Sequence, residues 1–133
     1  AKKKDVKKYE KTGLVHFTGR VSDEEAASLY SRARALLFPG IEDFGIIPVE
    51  ANAAGCPVIA YRAGGVMDTV REKTTGIFFD EQTPASLSRA ILQFESIEAS
   101  FEDRGNFTSQ ALRFSKENFI RRVKKIVEER KRI

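Results

Sequence analysis

The order of apolar runs and helical patterns in this chain predicts an α/β sandwich with a mostly parallel sheet. The central evidence lies between Ala35 and Ala60. An apolar run, Ala35-Leu36-Leu37-Phe38, is bounded by turn residues. A small-residue helical pattern, Ala51-Asn52-Ala53-Ala54, closes at Gly55, and the strand-like Pro57-Val58-Ile59-Ala60 follows. Strand, loop, helix and strand in that order make a βαβ unit, which is built around parallel neighbours. The same alternation recurs on both sides of it, and alternation of this kind layers helices onto a parallel sheet.

Taken in order, Ala1 to Gly13 is Lys-rich, with Val6 and Tyr9 at helical spacing; it reads as the end of a surface helix closed by Gly13. Leu14-Val15-His16-Phe17-Thr18 reads as a short strand ending at Gly19-Arg20. Ser22-Asp23-Glu24-Glu25 is a capping box that opens a helix to about Ala33, with Ala26, Leu29, Tyr30 and Ala33 as its apolar stripe. After the βαβ unit, Tyr61 to Gly65 forms a loop, and Val66 to Val70 forms one or two helical turns. Thr75-Gly76 turns the chain into a strand at Ile77-Phe78-Phe79. Thr83-Pro84 is an N-cap followed by proline at the first helical position. That helix is expected to run to about Glu95 and to bury Leu87, Ala90, Ile91 and Phe94. Residues 96–105 lack periodicity and read as a loop. Asn106 to Phe114 reads as a helix, and Ser115 caps a last one with Phe119, Val123, Ile126 and Val127 inward.

At 133 residues the chain is the size of one domain. No run approaches the roughly 18 apolar residues of a membrane-spanning helix, and no signal peptide opens the sequence. One cysteine, Cys56, excludes an internal disulfide framework and fits a reducing, cytoplasmic compartment. It reads as a small buried hydrophobe. The single histidine, His16, is given no role. The charge is unevenly placed. Residues 1–13 carry six lysines against Asp5 and Glu10, and residues 113–133 carry nine basic and three acidic residues. The middle, 14–112, holds eight basic and fourteen acidic residues. Nucleic-acid binding is not expected, because the positive charge sits on terminal segments without an aromatic-interleaved stripe. Solvated helix faces, or peripheral contact with an anionic membrane surface, fit better.

The loop leaving the first strand of the βαβ unit, Phe38-Pro39-Gly40-Ile41-Glu42-Asp43-Phe44-Gly45-Ile46-Ile47-Pro48-Val49-Glu50, is the candidate site. Ligands of open parallel sheets bind beyond the carboxyl ends of strands. Two carboxylates, Glu42 and Glu50, with seven residues between them, flank a glycine at the expected helix start. A glycine there exposes backbone N–H groups that suit a phosphate or sugar oxygen. Taken singly, Glu42 is a solvated loop acid and Glu50 a first-turn glutamate that satisfies the helix dipole. Their joint pattern points to an oxyanion or polyol site. Asp43 and Asp68 keep a surface reading.

With the following Glu50-Ala51-Asn52-Ala53-Ala54-Gly55-Cys56-Pro57-Val58-Ile59-Ala60 and Gly64-Gly65, the pattern resembles the retaining glycosyltransferases of the large family-four group. The resemblance runs from about His16 to the C-terminal helix. It implies a Rossmann-like three-layer sandwich, the C-terminal, donor-binding half of a GT-B fold. It further implies that Glu42 lies at the transferred sugar as the catalytic carboxylate. The backbone of Phe44, Gly45, Ile46 and Ile47 would meet sugar and phosphate oxygens, and Glu50 would chelate the ribose. The loop Gly19-Arg20-Val21 would stand at the nucleobase. No cofactor or metal is implied: no Asp-x-Asp pair is present, and there is one His and one Cys. The wording of the motif is similar to mannosyltransferases of polysaccharide assembly, which suggests GDP-mannose as donor, with UDP-sugars open. A glycan or lipid-linked acceptor would be held by an N-terminal domain that has no counterpart here. The first βα unit, which supplies an Arg and a Lys to the diphosphate, is also missing, so residues 1–133 are expected to be one donor-binding domain, incomplete on its N-terminal side and inactive alone. Two other classes fit parts of the sequence: a nucleotide-binding module without turnover, and an interaction domain that docks through its basic ends.

Overall fold

The computed structural model describes residues 3–43, 45–101 and 128. The predicted helices at 106–114 and from Ser115 onward, together with their basic face, lie outside the described residues.

Three short apolar runs become the sheet. Strands β1 (Leu36–Phe38), β2 (Val58–Tyr61) and β3 (Gly76–Phe79) pair in parallel in the order β1-β2-β3. The register sets Leu36 opposite Val58, Phe38 opposite Ala60, and Ile59 opposite Ile77. Successive side chains of a strand point to opposite faces, and the packing follows that rule. On one face Phe38, Val58, Ala60 and Phe78 pack with Ala51, Cys56, Val66 and Val70, against Tyr30 and Ala33. On the other, Ile59, Ile77 and Phe79 pack with Ala90, Phe94 and Phe101. Helices α2 (Asp23–Arg32), α3 (Ile46–Ala53) and α4 (Val66–Thr69) thus supply one layer, and α5 (Pro84–Ile97) supplies the other. The three-layer α/β reading holds.

Local signals behave as their chemistry requires. The Ser22 Oγ accepts from the Glu25 N–H at 3.1 Å and caps α2. The Thr83 Oγ1 accepts from the Ser86 N–H at 3.1 Å, with Pro84 opening α5. Helix α3 ends in a Schellman turn: Gly55, at φ +86°, donates to the Asn52 carbonyl at 2.9 Å, and Cys56 donates to the Ala51 carbonyl at 2.8 Å. Helix α1 (Lys3–Glu10) precedes Gly13 as expected. Cys56 is fully buried, in keeping with its reading as a small hydrophobe.

Three expectations are corrected. Residues 14–18 are not a strand, and Leu14 is 87% exposed. Their alternating pattern suits a sheet, but a strand needs a paired neighbour, and among the described residues the sheet pairs only β1, β2 and β3. Leu29, placed on the buried stripe of α2, is exposed; α2 buries no residue fully and leans on the core through Tyr30 and Ala33. The loop expected over 96–105 begins instead as helix: α5 runs to Ile97, and a 3₁₀ turn covers Glu98–Phe101. Phe101 explains the difference. It is buried against Phe94, with ring centroids 5.6 Å apart, and a buried aromatic offsets the cost of ordering its turn. No helix among the described residues is long and apolar enough to cross a membrane.

Candidate functional site

The site is built on the connection from β1 to α3. The chain leaves β1 at Phe38, passes Glu42, and enters α3 through Gly45, the N-cap, which adopts a left-handed conformation at φ +58°, ψ +43°. Glycine takes that conformation without the steric cost other residues meet. A side chain there would also be tight, since a Cβ would lie 3.2 Å from the Gly65 carbonyl carbon and the Val66 nitrogen. The first N–H groups of a helix have no partner within the helix. In α3 these belong to Gly45, Ile46 and Ile47, because Pro48 has none. Ile46 and Ile47 are part-exposed. The start of α3 is therefore a short row of backbone donors at the positive end of a helix dipole. Phe44 lies outside the described residues.

Glu42 is exposed, and its backbone is fixed: its carbonyl accepts from the Gly65 N–H at 2.7 Å. Glu50 is the fifth residue of α3, one turn beyond the first-turn position where a glutamate would merely satisfy the dipole. It borders a cleft of about 410 Å³ between α2 and α3, lined also by Asp23, Ala26 and Tyr30 on one side and by Ala53 and Ala54 on the other. Partial burial in this cleft, and then the nearby Asp23 charge, raise the Glu50 carboxyl above the usual carboxylate value. Burial, followed by the charge of Glu50, likewise raises the Tyr30 phenol.

The structure thus brings Gly45, Ile46, Ile47 and Glu50 onto one helix, with Glu42 on the loop before it. The Gly19-Arg20-Val21 loop does not line the cleft at Glu50. It leads into the α2 cap, with Gly19 at φ +62° and Arg20 exposed, and the residue of this region that reaches the cleft is Asp23. Asp23 and Tyr30 join the site although the sequence marks them only as cap and stripe. Their signal was positional, since both lie on the α2 face that meets α3. Among the described residues, no three His, Cys, Asp or Glu side chains gather as metal ligands.

Residues 1–114 match the family described as Glycosyl transferases group 1. The chain belongs to that family. Among its relatives, the D-inositol 3-phosphate glycosyltransferase of Corynebacterium kroppenstedtii is 34% identical over 118 residues, which is 87% of this chain and 26% of the relative. The human alpha-1,3/1,6-mannosyltransferase ALG2 is 37% identical over 93 residues, 69% of this chain and 22% of the relative. The sucrose-phosphate synthase of Thermosynechococcus elongatus superposes with a TM-score of 0.74 at 28% identity, over 95% of this chain and 32% of that one. The chain therefore spans about a quarter of the length of the curated relatives it matches. The Rossmann-like sandwich expected of one half of a GT-B glycosyltransferase is the fold found.

Proposed function

We propose that this chain is the donor-binding part of a retaining glycosyltransferase that moves a hexose from a nucleotide sugar to a glycan or lipid-linked acceptor. The observation that carries the reading is the β1–α3 connection, where one carboxylate, a row of backbone donors and a second carboxylate follow one another beyond the carboxyl end of a parallel strand. Each meets a different need of the reaction. Breaking the anomeric C–O bond develops positive charge on the sugar, as in glycoside hydrolysis, and Glu42 would stabilise it. The departing diphosphate gathers negative charge, which the N–H groups of Gly45, Ile46 and Ile47 would meet. Glu50 would take both ribose hydroxyls in a charge-assisted pair, and the alanine-floored cleft beside it would receive the nucleobase, with Gly19, Arg20 and Val21 at its approach. The remaining phosphate cations and the acceptor site would come from an N-terminal region outside residues 1–133.

The best-fitting donor is GDP-mannose, favoured by the motif wording and by the mannosyltransferase among the relatives. Titration calorimetry tests nucleotide choice and site together. GDP should bind more tightly than UDP, and Glu50→Ala should weaken GDP binding by about 1.5–3 kcal/mol, the range for hydrogen bonds to charged groups. That is roughly 10- to 150-fold in Kd. Because Glu50 binds as a carboxylate and its carboxyl is raised, affinity should hold above that raised value and fall as the pH drops through it. Equal affinities of wild type and variant would remove Glu50 from the site, and tighter UDP binding would move the donor to a UDP-sugar.

A second expectation concerns metal. With the leaving diphosphate met by helix α3 and by protein cations, GDP release from GDP-mannose by the full-length enzyme should persist in excess EDTA. Activity lost in EDTA and restored by magnesium or manganese would show that a metal does this work instead. Work at a membrane surface would rest on the basic residues near the C-terminus, such as Arg121, Arg122, Lys124 and Lys125, as a peripheral and salt-sensitive contact.

A further inference from the structure

Building on that reading of Glu42, we propose that the Gly64–Gly65 turn positions this carboxylate for the transfer step, and that Arg62 holds the turn in place. None of these three residues needs to touch the donor; they act through the backbone of Glu42.

The contact is backbone against backbone. The Gly65 N–H donates to the Glu42 carbonyl at 2.7 Å. Gly64, at φ +77°, sits so close that a Cβ would lie 2.6 Å from the same carbonyl oxygen and 3.1 Å from Ile41 Cγ2. A separation of 2.6 Å from a backbone oxygen cannot be absorbed by a rotamer change; the Glu42 loop would have to move. The same turn also bounds the other end of that loop, where a Cβ on Gly45 would lie a tight 3.2 Å from the backbone of Gly65 and Val66. Residues 42 and 45, the two ends of the segment between the catalytic carboxylate and the start of α3, therefore rest on one support.

The support is itself fastened. Within the turn, Ala63 donates to the Tyr61 carbonyl at 2.8 Å, Met67 to Gly64 and Asp68 to Gly65, each at 3.1 Å. The Thr69 hydroxyl donates to the Gly65 carbonyl at 3.3 Å. Arg62, directly before it, donates from Nε to Asp80 at 2.8 Å and from both terminal nitrogens to Glu72 at 3.1 and 3.3 Å. Its guanidinium lies 4.8 Å from the Phe78 ring centroid. Asp80 follows β3 and Glu72 precedes it, so Arg62 ties the turn to both ends of that strand. The two carboxylates keep the guanidinium charged, and the hydrogen bonds from Arg62 hold the Glu72 carboxyl below the usual range. A fork of this kind is a directional clamp that lysine does not reproduce. Reacting groups lose about 100-fold in rate when misplaced by an ångström, which makes such a support consequential for turnover even though it binds nothing.

The test is a double-variant cycle in the full-length enzyme, with GDP-mannose as donor, GDP release as the rate and GDP binding measured in parallel. Gly64→Ala should lower kcat by roughly 30- to 100-fold with a much smaller change in GDP Kd, and should lower it hardly further in a Glu42→Ala background, because both changes remove the same function. Arg62→Met, which frees the turn without adding an atom to it, should give a smaller loss of kcat that also vanishes in the Glu42→Ala background; it decides the matter if Gly64→Ala does not fold. Wild-type kcat in Arg62→Met and in a folded Gly64→Ala would overturn the proposal while leaving the role of Glu42 intact. So would losses that add fully to that of Glu42→Ala. If Glu42→Ala itself turns over like wild type, the role of Glu42 fails and takes the positioning proposal with it.

Discussion

Glu42→Ala in the full-length enzyme should lower turnover of GDP-mannose by roughly 100- to 1,000-fold, the scale on which losing one preorganised electrostatic group at a reacting centre acts, while GDP affinity stays nearly intact. The separation follows from placement. Glu42 lies on the loop before α3, and its side chain is exposed; the groups proposed to grip phosphate and ribose sit on the helix, at Gly45, Ile46, Ile47 and Glu50. Among the described residues Glu42 is held through its carbonyl, which accepts from the Gly65 N–H and which alanine retains. Truncation should thus remove a carboxylate from the sugar without disturbing the nucleotide. An interaction made only in the transition state shows itself as a fall in kcat at constant binding. Glu42→Gln sharpens the test, since it keeps the shape and removes the charge. A loss similar to that of alanine would assign the effect to charge, and a return towards wild type would assign it to hydrogen bonding. A parallel loss of rate and of GDP affinity in both variants would mean that Glu42 shapes the loop instead.

The parts of this molecule that were legible in the sequence are those whose physics is local. Ser22 and Thr83 each cap a helix through a contact three residues away, and the Gly55 turn closes α3 within its own last residues. The site shares that property. Glu42, Gly45, Ile46, Ile47 and Glu50 follow one another on a loop and one helix, so their spacing alone brings them near one another. What stayed hidden depends on neighbours distant in the chain. Residues 14–18 have the alternation of a strand, but pairing is decided by what lies alongside. Phe101 gained a helical turn because Phe94 and the sheet offered it a place to bury. Asp23 joins the cleft at Glu50 only because α2 packs on α3. The glycine pair at 64–65 read as a turn or a close approach to a ligand, whereas its near neighbour is the backbone of Glu42, more than twenty positions earlier.

Asn52 is the clearest such case, and its replacement should have the largest effect on stability of any substitution considered. In the sequence it is one polar residue in a run of alanines. In the structure it is 1% exposed on the inner face of α3, and its Nδ2 donates to the Cys56 carbonyl at 2.8 Å and the Thr75 carbonyl at 3.0 Å. It therefore joins the end of its own helix to the turn that leads into β3. The Thr75 carbonyl keeps a second donor, the Val58 N–H at 3.1 Å, so Asn52→Ala should cost chiefly the bond to the Cys56 carbonyl. Adding the small cavity to that, the expected cost is about 2–4 kcal/mol. Asn52→Asp should be worse at neutral pH, although it fills the same space, because it sets a buried negative charge against two carbonyl oxygens. Its carboxyl would be raised in the folded state relative to the unfolded chain. The destabilisation would then be complete above that raised value, and would ease as the pH falls through it and the acid gains a proton to donate. Urea denaturation of the chain at pH 7 and near pH 5 separates these outcomes. Asn52→Ala should lose the same stability at both, whereas Asn52→Asp should lose more than alanine at the higher pH and recover part of it at the lower. An Asn52→Asp chain as stable as wild type at pH 7 would show that the Asn52 amide is not what joins α3 to the Thr75 turn.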